Sequence, residues 1–169
     1  MSKPIAVIDT NIIITLLDNT KTPTVTELQN KVQLTIERLS GHGARWIIPT
    51  PVIAELSGQG LATVKRALGS LLNLMRIQVL DIEAAEAAGT MSIAALKDRK
   101  GRERGAVKFD ALIAGTAHSL GATWLLTSNP KDMQHNLNAL RSSVQLVDPK
   151  DPPPGQQVMT QIVTSKPKG

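Results

Sequence analysis

The stretch Ile5-Ala6-Val7-Ile8-Asp9-Thr10-Asn11 decides the fold. Four consecutive apolar residues without polar alternation mark a strand buried on both faces, as in a parallel sheet covered by helices. Asp9 or Thr10 then supplies an oxygen suited to capping a helix, and the following apolar residues carry that helix through Leu17. A strand that runs directly into a helix opens a β–α unit, and the rest of the chain repeats the unit.

Working outward, Thr24 to Gly41 places Val25, Leu28, Val32, Leu34, Ile36 and Leu39 at amphipathic spacing, a helix ended near Gly41 and Gly43. Trp46-Ile47-Ile48 reads as the second strand. Thr50-Pro51 reads as an N-cap with Pro at the first helical position, opening the helix that carries Glu55. Gly58 and Gly60 break the chain before another helix through Leu74, and Ile77 to Leu80 is expected as the third strand. Glu83 to about Lys97 is alanine-rich and helical, and polar Lys97 to Gly105 is expected as a loop. Phe109 to Leu120 forms a helix stopped by Gly121, and strand Trp124-Leu125-Leu126 follows. Pro130 to Leu140 is helical, and Val144 to Val147 is a last strand. Pro-Lys-Asp-Pro-Pro-Pro-Gly from Pro149 cannot continue a sheet, so residues 1–148 are expected as one domain and 149–169 as a Pro-rich tail. Short apolar strands alternating with helices predict an α/β fold whose parallel sheet of four or five strands is covered on both faces, with right-handed crossovers.

Composition narrows the function classes. The chain has 169 residues, enough for one domain with a sizeable core, and is 41% apolar but only 2% aromatic, so that core is aliphatic and alanine-rich. Having no Tyr and only Phe109, Trp46 and Trp124 argues against an aromatic base-stacking platform. A formal net charge of +5 favours a polyanionic partner. The absence of cysteine excludes disulfides and thiol chemistry and fits a reducing compartment. Asp9, Asn11 and Asp18 interrupt the N-terminal apolar run, against a signal peptide. Nothing approaches the roughly 18 uninterrupted apolar residues of a membrane span. The expectation is a soluble cytoplasmic protein with no membrane partner.

In a parallel sheet of this kind, helices that precede strands begin on the side where strands end. Asp9 and Thr127 fall at strand carboxyl ends, Glu55 and Asp110 in the early turns of helices, and Asn129 and Asp132 at the start of another. All therefore share one sheet edge, which is also the topological switch point if the fourth strand lies beside the first. Carboxylates gathered there repel one another and are costly to desolvate. A hard divalent cation with oxygen ligands, Mg²⁺ or Mn²⁺, removes that conflict.

At this point the sequence resembles the PIN-domain family, most closely its VapC-type toxin branch. The matching stretches are Val7 to Asn11, Pro51 to Leu56, Lys108 to Ala117, and Leu126 to Met133, and with the pattern between them the resemblance covers roughly residues 4–148. It implies a three-layer α/β/α sandwich, Mg²⁺- or Mn²⁺-dependent endoribonuclease activity on RNA, homodimerisation and neutralisation by a small antitoxin. The family's metal-site and catalytic roles carry onto Asp9, Glu55 and Asp110. Where the family often has an acid two residues after the Thr, this chain has Asn129. The toxin branch keeps a later Asp, here Asp132, so Asn129 or Asp132 fills the fourth metal position. Gly115 stands where Ala is commoner, a packing difference.

The expected chemistry is metal-assisted phosphodiester hydrolysis. Thr10, Asn11, Thr127 and Ser128 offer hydroxyl and amide groups to orient the ligands or contact phosphate. Arg99, Lys100, Arg102, Arg104 and Lys108 lead into the Asp110 helix and are expected to contact RNA phosphates. Each residue also has a plainer role. Asp9 caps a helix, Asp110 complements a helix dipole, Glu55 is solvated, Asn129 and Asp132 shape a turn, and the basic segment is a charged loop. The alternative function is a catalytically silent PIN-like module that binds nucleic acid. A phosphatase using Asp9 as nucleophile requires a second acid where Asn11 stands. His42, His118 and His135 show no ligand spacing, and Gly58-Gln59-Gly60 does not follow a strand.

Overall fold

β1 (Ile5–Ile8) runs at the centre of the sheet because its side chains bury in both directions: Ala6, Val7 and Ile8 are all fully buried. A computed structural model describes residues 3–97 and 103–151 of the chain. After β1 come α1 (Thr10–Leu17), α2 (Pro23–Gly41), β2 (Arg45–Pro49), α3 (Thr50–Ser57), α4 (Leu61–Leu71) and β3 (Met75–Gln78). The second half holds α5 (Ile82–Lys97), α6 (Arg104–Ser119), β4 (Trp124–Leu126), α7 (Pro130–Ala139) and β5 (Gln145–Val147). The five strands are all parallel, in the order β3-β2-β1-β4-β5. Val7 pairs with Ile47 on one side and Leu125 on the other.

Helices α1 to α4 pack among themselves, as do α5 to α7, giving the three-layer α/β/α sandwich expected from the alternation. The core is aliphatic, as the composition requires: Ile8, Ile12, Ile48, Leu56, Ile113 and Leu125 are among its largest fully buried side chains. Gly115 sets how closely α6 approaches α5. A Cβ built on it meets the Ala84 carbonyl oxygen at 2.6 Å and the Ala88 Cβ at 2.9 Å, so the packing reading of this position holds. Gly121 ends α6 with φ +56°, a left-handed turn that only glycine adopts without strain.

Several boundaries differ from the sequence reading: α4 ends at Leu71 rather than Leu74, and β3 starts at Met75 rather than Ile77. Thr50 is the first residue of α3 rather than its cap, Pro49 occupies the cap position, and the Thr50 hydroxyl accepts from Leu80 N at 3.0 Å. β3 ends at Gln78 instead of Leu80, because its partner β2 ends at Pro49, opposite Gln78, and no ladder remains to extend. α6 begins at Arg104 rather than Phe109, since its buried stripe already starts with Val107 and Ala111. The expected loop 97–105 is correspondingly shorter, and residues 98–102 lie outside the described residues. Of the tail, residues 152–169 also lie outside them. Among the described residues, no helix is long and apolar enough to cross a membrane.

Candidate metal centre

The chain leaves the sheet at Asp9, whose backbone N–H makes a 3.0 Å bond to the Leu126 carbonyl. Its extended backbone (φ −87°, ψ 156°) turns its carbonyl onto Ile12 N and Ile13 N, starting α1. The pairing of β1 with β4 makes this the sheet's switch point, with connections leaving β1 and β4 to opposite sides. Both Asp9 and Thr127 sit at strand ends there, as the alternation predicts.

The Asp9 carboxylate is only 3% exposed and is held at both oxygens. Oδ1 accepts from Thr10 N at 2.7 Å, and Oδ2 accepts from Asn11 Nδ2 at 2.7 Å and from the Thr127 hydroxyl at 2.7 Å. Asn11 also ties the two strand ends together, because its Oδ1 accepts from Ser128 N at 3.0 Å. Thr127 Oγ1 in turn accepts from Asn129 N at 3.0 Å. Burial dominates the electrostatics and pushes the Asp9 pKa up from 3.8 to about 6, against the lowering effect of the Thr127, Thr10 and Asn11 donors. The negative charge of Glu55 raises it further.

Glu55 is half-buried in the second turn of α3, and Asp110 is half-buried in the second turn of α6. Asp110 lies five residues deeper in its helix than a start at Phe109 put it, because α6 begins at Arg104, whereas Glu55 shifts by a single residue because α3 begins at Thr50. α3 and α6 pack together, so the two acids come from neighbouring elements. Asn129 holds the cap position of α7 and donates through Nδ2 to Asp132 Oδ2 at 2.6 Å. Among the described residues, no three His, Cys, Asp or Glu side chains stand close enough together to hold an ion.

The four hydroxyl and amide residues divide by role. Thr127 and Asn11 hold Asp9, Ser128 contributes its backbone N–H, and the Thr10 hydroxyl is buried without a hydrogen-bond partner. No side chain outside the sequence-derived set donates to the Asp9 carboxylate among the described residues. Arg104 and Lys108 are exposed at the start of α6, whereas Arg99, Lys100 and Arg102 lie outside the described residues. Away from this edge, His118 Nδ1 pairs with Ser142 Oγ at 3.0 Å and His42 leans on Trp124.

The donor set fits a hard cation. Asp9 is an oxygen ligand fixed in orientation, buried, and already disfavoured as an isolated anion, and a second carboxylate lies within electrostatic reach.

A parallel α/β/α sandwich with an acidic switch point defines the class. The chain belongs to the PIN domain family, which it matches over residues 6–136, from β1 into α7. No curated protein matches the sequence. Among solved structures it is similar to VapBC-1 from nontypeable Haemophilus influenzae, with 23% identity, a TM-score of 0.61, and coverage of 87% of this chain and 99% of that one. VapBC2 from Rickettsia felis, bound to a DNA fragment from its promoter, is 19% identical with a TM-score of 0.56, covering 85% and 98%. DNA-bound VapBC from Salmonella typhimurium is 18% identical with a TM-score of 0.55, covering 86% and 98%. At these identities the likeness is one of fold.

Proposed function

We propose that this protein is a metal-dependent endoribonuclease that hydrolyses RNA phosphodiester bonds and acts as the toxin of a toxin–antitoxin pair. The observation that carries the nuclease reading is the Asp9 carboxylate, buried at the β1–β4 switch point, fixed by three donors and charged against the influence of Glu55. The toxin reading draws on membership of the PIN domain family and on the fold shared with the VapBC structures, and it brings with it an antitoxin as partner. Residues 1–148 form the nuclease unit and 149–169 a tail, in a cytoplasmic protein that works as a homodimer.

Asp9, Glu55 and Asp110 hold Mg²⁺ or Mn²⁺, with Asn129 or Asp132 completing the set. A cation held there would supply Lewis-acid activation of the phosphodiester and of an attacking water. Thr127 and Asn11 keep both Asp9 oxygens aimed, so the ligand geometry is preformed on its most buried member. Glu55, half-exposed, orients the attacking water. Arg104, Lys108 and the basic residues before them hold the RNA backbone.

Cleavage of structured RNAs by the purified full-length chain tests the reading. Activity is expected with Mg²⁺ or Mn²⁺ and is expected to vanish with EDTA and in Asp9→Asn. Cleavage that persists in EDTA overturns metal-dependent hydrolysis. RNA binding without cleavage under any metal condition favours the silent module instead.

A further inference from the structure

At the end of the sheet opposite Asp9, where the strands begin, lies a half-open cavity of about 440 Å³. Its floor is one row of the sheet. Arg45, the first residue of β2, is in register with Ile5, the first residue of β1. The Thr123 N–H bonds to the Ile5 carbonyl at 2.9 Å, so the three residues stand side by side across β2, β1 and the entry to β4. Leu120 and Gly121, which end α6, back the cavity, and Lys3, just before β1, completes its lining.

The charge of this lining is uncompensated. Lys3 and Arg45 are exposed, and among the described residues neither side chain makes an ion pair or a hydrogen bond. No Asp or Glu of the described residues lines the cavity. The adjoining end of α6 does not occupy the two cations either. Its Thr116, Ala117 and His118 carbonyls accept from Leu120 N at 3.2 Å, Ala122 N at 2.9 Å and Gly121 N at 2.9 Å. The half-buried Thr123 brings a hydroxyl to the same cavity.

These groups match one ligand chemistry. A guanidinium fork pairs with two phosphate oxygens, an ammonium adds a point charge, and a hydroxyl donates to a third oxygen. Two positive charges answer the roughly −1.5 to −2 that a phosphate monoester carries at neutral pH. Half-buried Ile5 and Leu120 offer an aliphatic wall to the organic part of such a molecule. The volume falls within the range of about 300–1,000 Å³ typical of small-molecule sites. The length of β1, roughly 13 Å at about 3.3 Å per residue, separates Ile5 from Asp9, so a phosphate held here does not touch the acidic residues.

From this we infer that the amino end of the sheet carries a second site, in which Lys3, Arg45 and Thr123 bind the phosphate of a small phosphate monoester. It needs neither the metal nor RNA cleavage, so it stands or falls separately from the nuclease reading.

Titration calorimetry of the full-length protein in EDTA tests it, with inorganic phosphate and adenosine 5′-monophosphate as probes and chloride holding the ionic strength constant. Both probes are expected to bind, the nucleotide more tightly because it also covers the aliphatic wall. Lys3→Ala with Arg45→Ala is expected to weaken binding at least about tenfold, and Arg45→Lys to restore part of it, since the charge returns without the fork. Thermal unfolding without ligand reports whether the variants keep the fold, as expected for two exposed side chains. A final arm identifies the source of the monoester. An RNA oligonucleotide that displaces the nucleotide with a 5′-phosphate, but not with a 5′-hydroxyl, assigns the site to RNA ends. Displacement by neither assigns it to free small molecules. Displacement by both alike overturns the monoester reading, because backbone diesters then suffice. Absence of binding by either probe, or affinity unchanged in the folded Lys3→Ala/Arg45→Ala variant, overturns the site itself.

Discussion

The Thr127 hydroxyl donates to Asp9 Oδ2 over 2.7 Å, joining residues 118 positions apart across the β1–β4 junction. A buried carboxylate accepting from a hydroxyl is worth more than a neutral pair, because the acceptor is charged.

Thr127→Val keeps the shape and removes the donor. It is expected to lower stability at pH 8 by about 1–3 kcal/mol and to reduce RNA cleavage, while Thr127→Ser retains most of both. The loss should shrink at pH 5, where Asp9 in the folded chain is largely protonated. Urea unfolding at the two pH values measures it. A loss independent of pH would mean the hydroxyl acts through packing alone.

The raised pKa of Asp9 makes stability pH-dependent in a fixed direction. Below about pH 3.8 both folded and unfolded chains hold the proton, and no penalty exists. Between 3.8 and about 6 the folded chain keeps a proton that the unfolded chain releases, so this residue's contribution falls as pH rises. Above about 6 the penalty is complete, of the order of 3 kcal/mol at about 1.4 kcal/mol per pH unit. Asp9→Asn is expected to abolish this component and to be the more stable protein at pH 8 in metal-free buffer. Equal pH profiles for the two proteins would assign the titration elsewhere.

Which parts of this were readable beforehand follows from the range of the interactions. The order of strands and helices along the chain came from local apolar patterns that each element carries within itself, and the edge on which Asp9 and Thr127 meet followed from setting the fourth strand beside the first, an assumption that the pairing of β1 with β4 bears out. The double grip of Asn11 on Asp9 and on Ser128 N was not readable, because it joins residues 117 positions apart. Nor was the depth of Asp110 in its helix, which depends on where the Val107 stripe begins. Ile77 to Leu80 reads in sequence as one more strand of the sheet. Only the strand order reveals it as an edge, since apolar content alone does not distinguish the outside of a sheet from its middle.

Gly115→Ala is expected to destabilise the fold by about 1–3 kcal/mol without touching the acidic residues. Its Cβ collides with the backbone oxygen of Ala84 at 2.6 Å, which cannot rotate away, so α5 and α6 must separate. Adding Ala88→Gly relieves only the 2.9 Å approach to that side chain and should restore part of the stability. Thermal unfolding of the three proteins checks this. An unchanged melting temperature in Gly115→Ala would show that the helix pair yields freely.

Arg104→Ala with Lys108→Ala removes two exposed cations from the start of α6. If both hold RNA phosphates, binding weakens and the salt dependence flattens by roughly 0.7 in slope for each phosphate no longer neutralised. Affinity measured from low to moderate salt, with the catalytic acids intact and EDTA present to prevent turnover, provides the test. A weaker affinity with an unchanged slope would place these side chains off the phosphate path.

Removal and return of metal link Asp9 to the ion without any RNA. A divalent cation binds the deprotonated carboxylate and must displace the proton that burial retains below about pH 6. Its stabilisation of the folded chain by mass action should therefore be small at pH 5 and grow through pH 6 to a plateau. Melting temperatures with and without Mn²⁺ across this range trace the curve. Asp9→Asn should flatten it, because the amide offers a neutral oxygen and no titrating site. Glu55→Gln should leave the rise in place, lower the plateau and move the midpoint to lower pH, because the Glu55 charge helps hold the Asp9 pKa up. A Mn²⁺ increment that is the same at pH 5 and pH 7, or that survives unchanged in Asp9→Asn, would place the ion away from the β1–β4 junction and take Asp9 out of its ligand set.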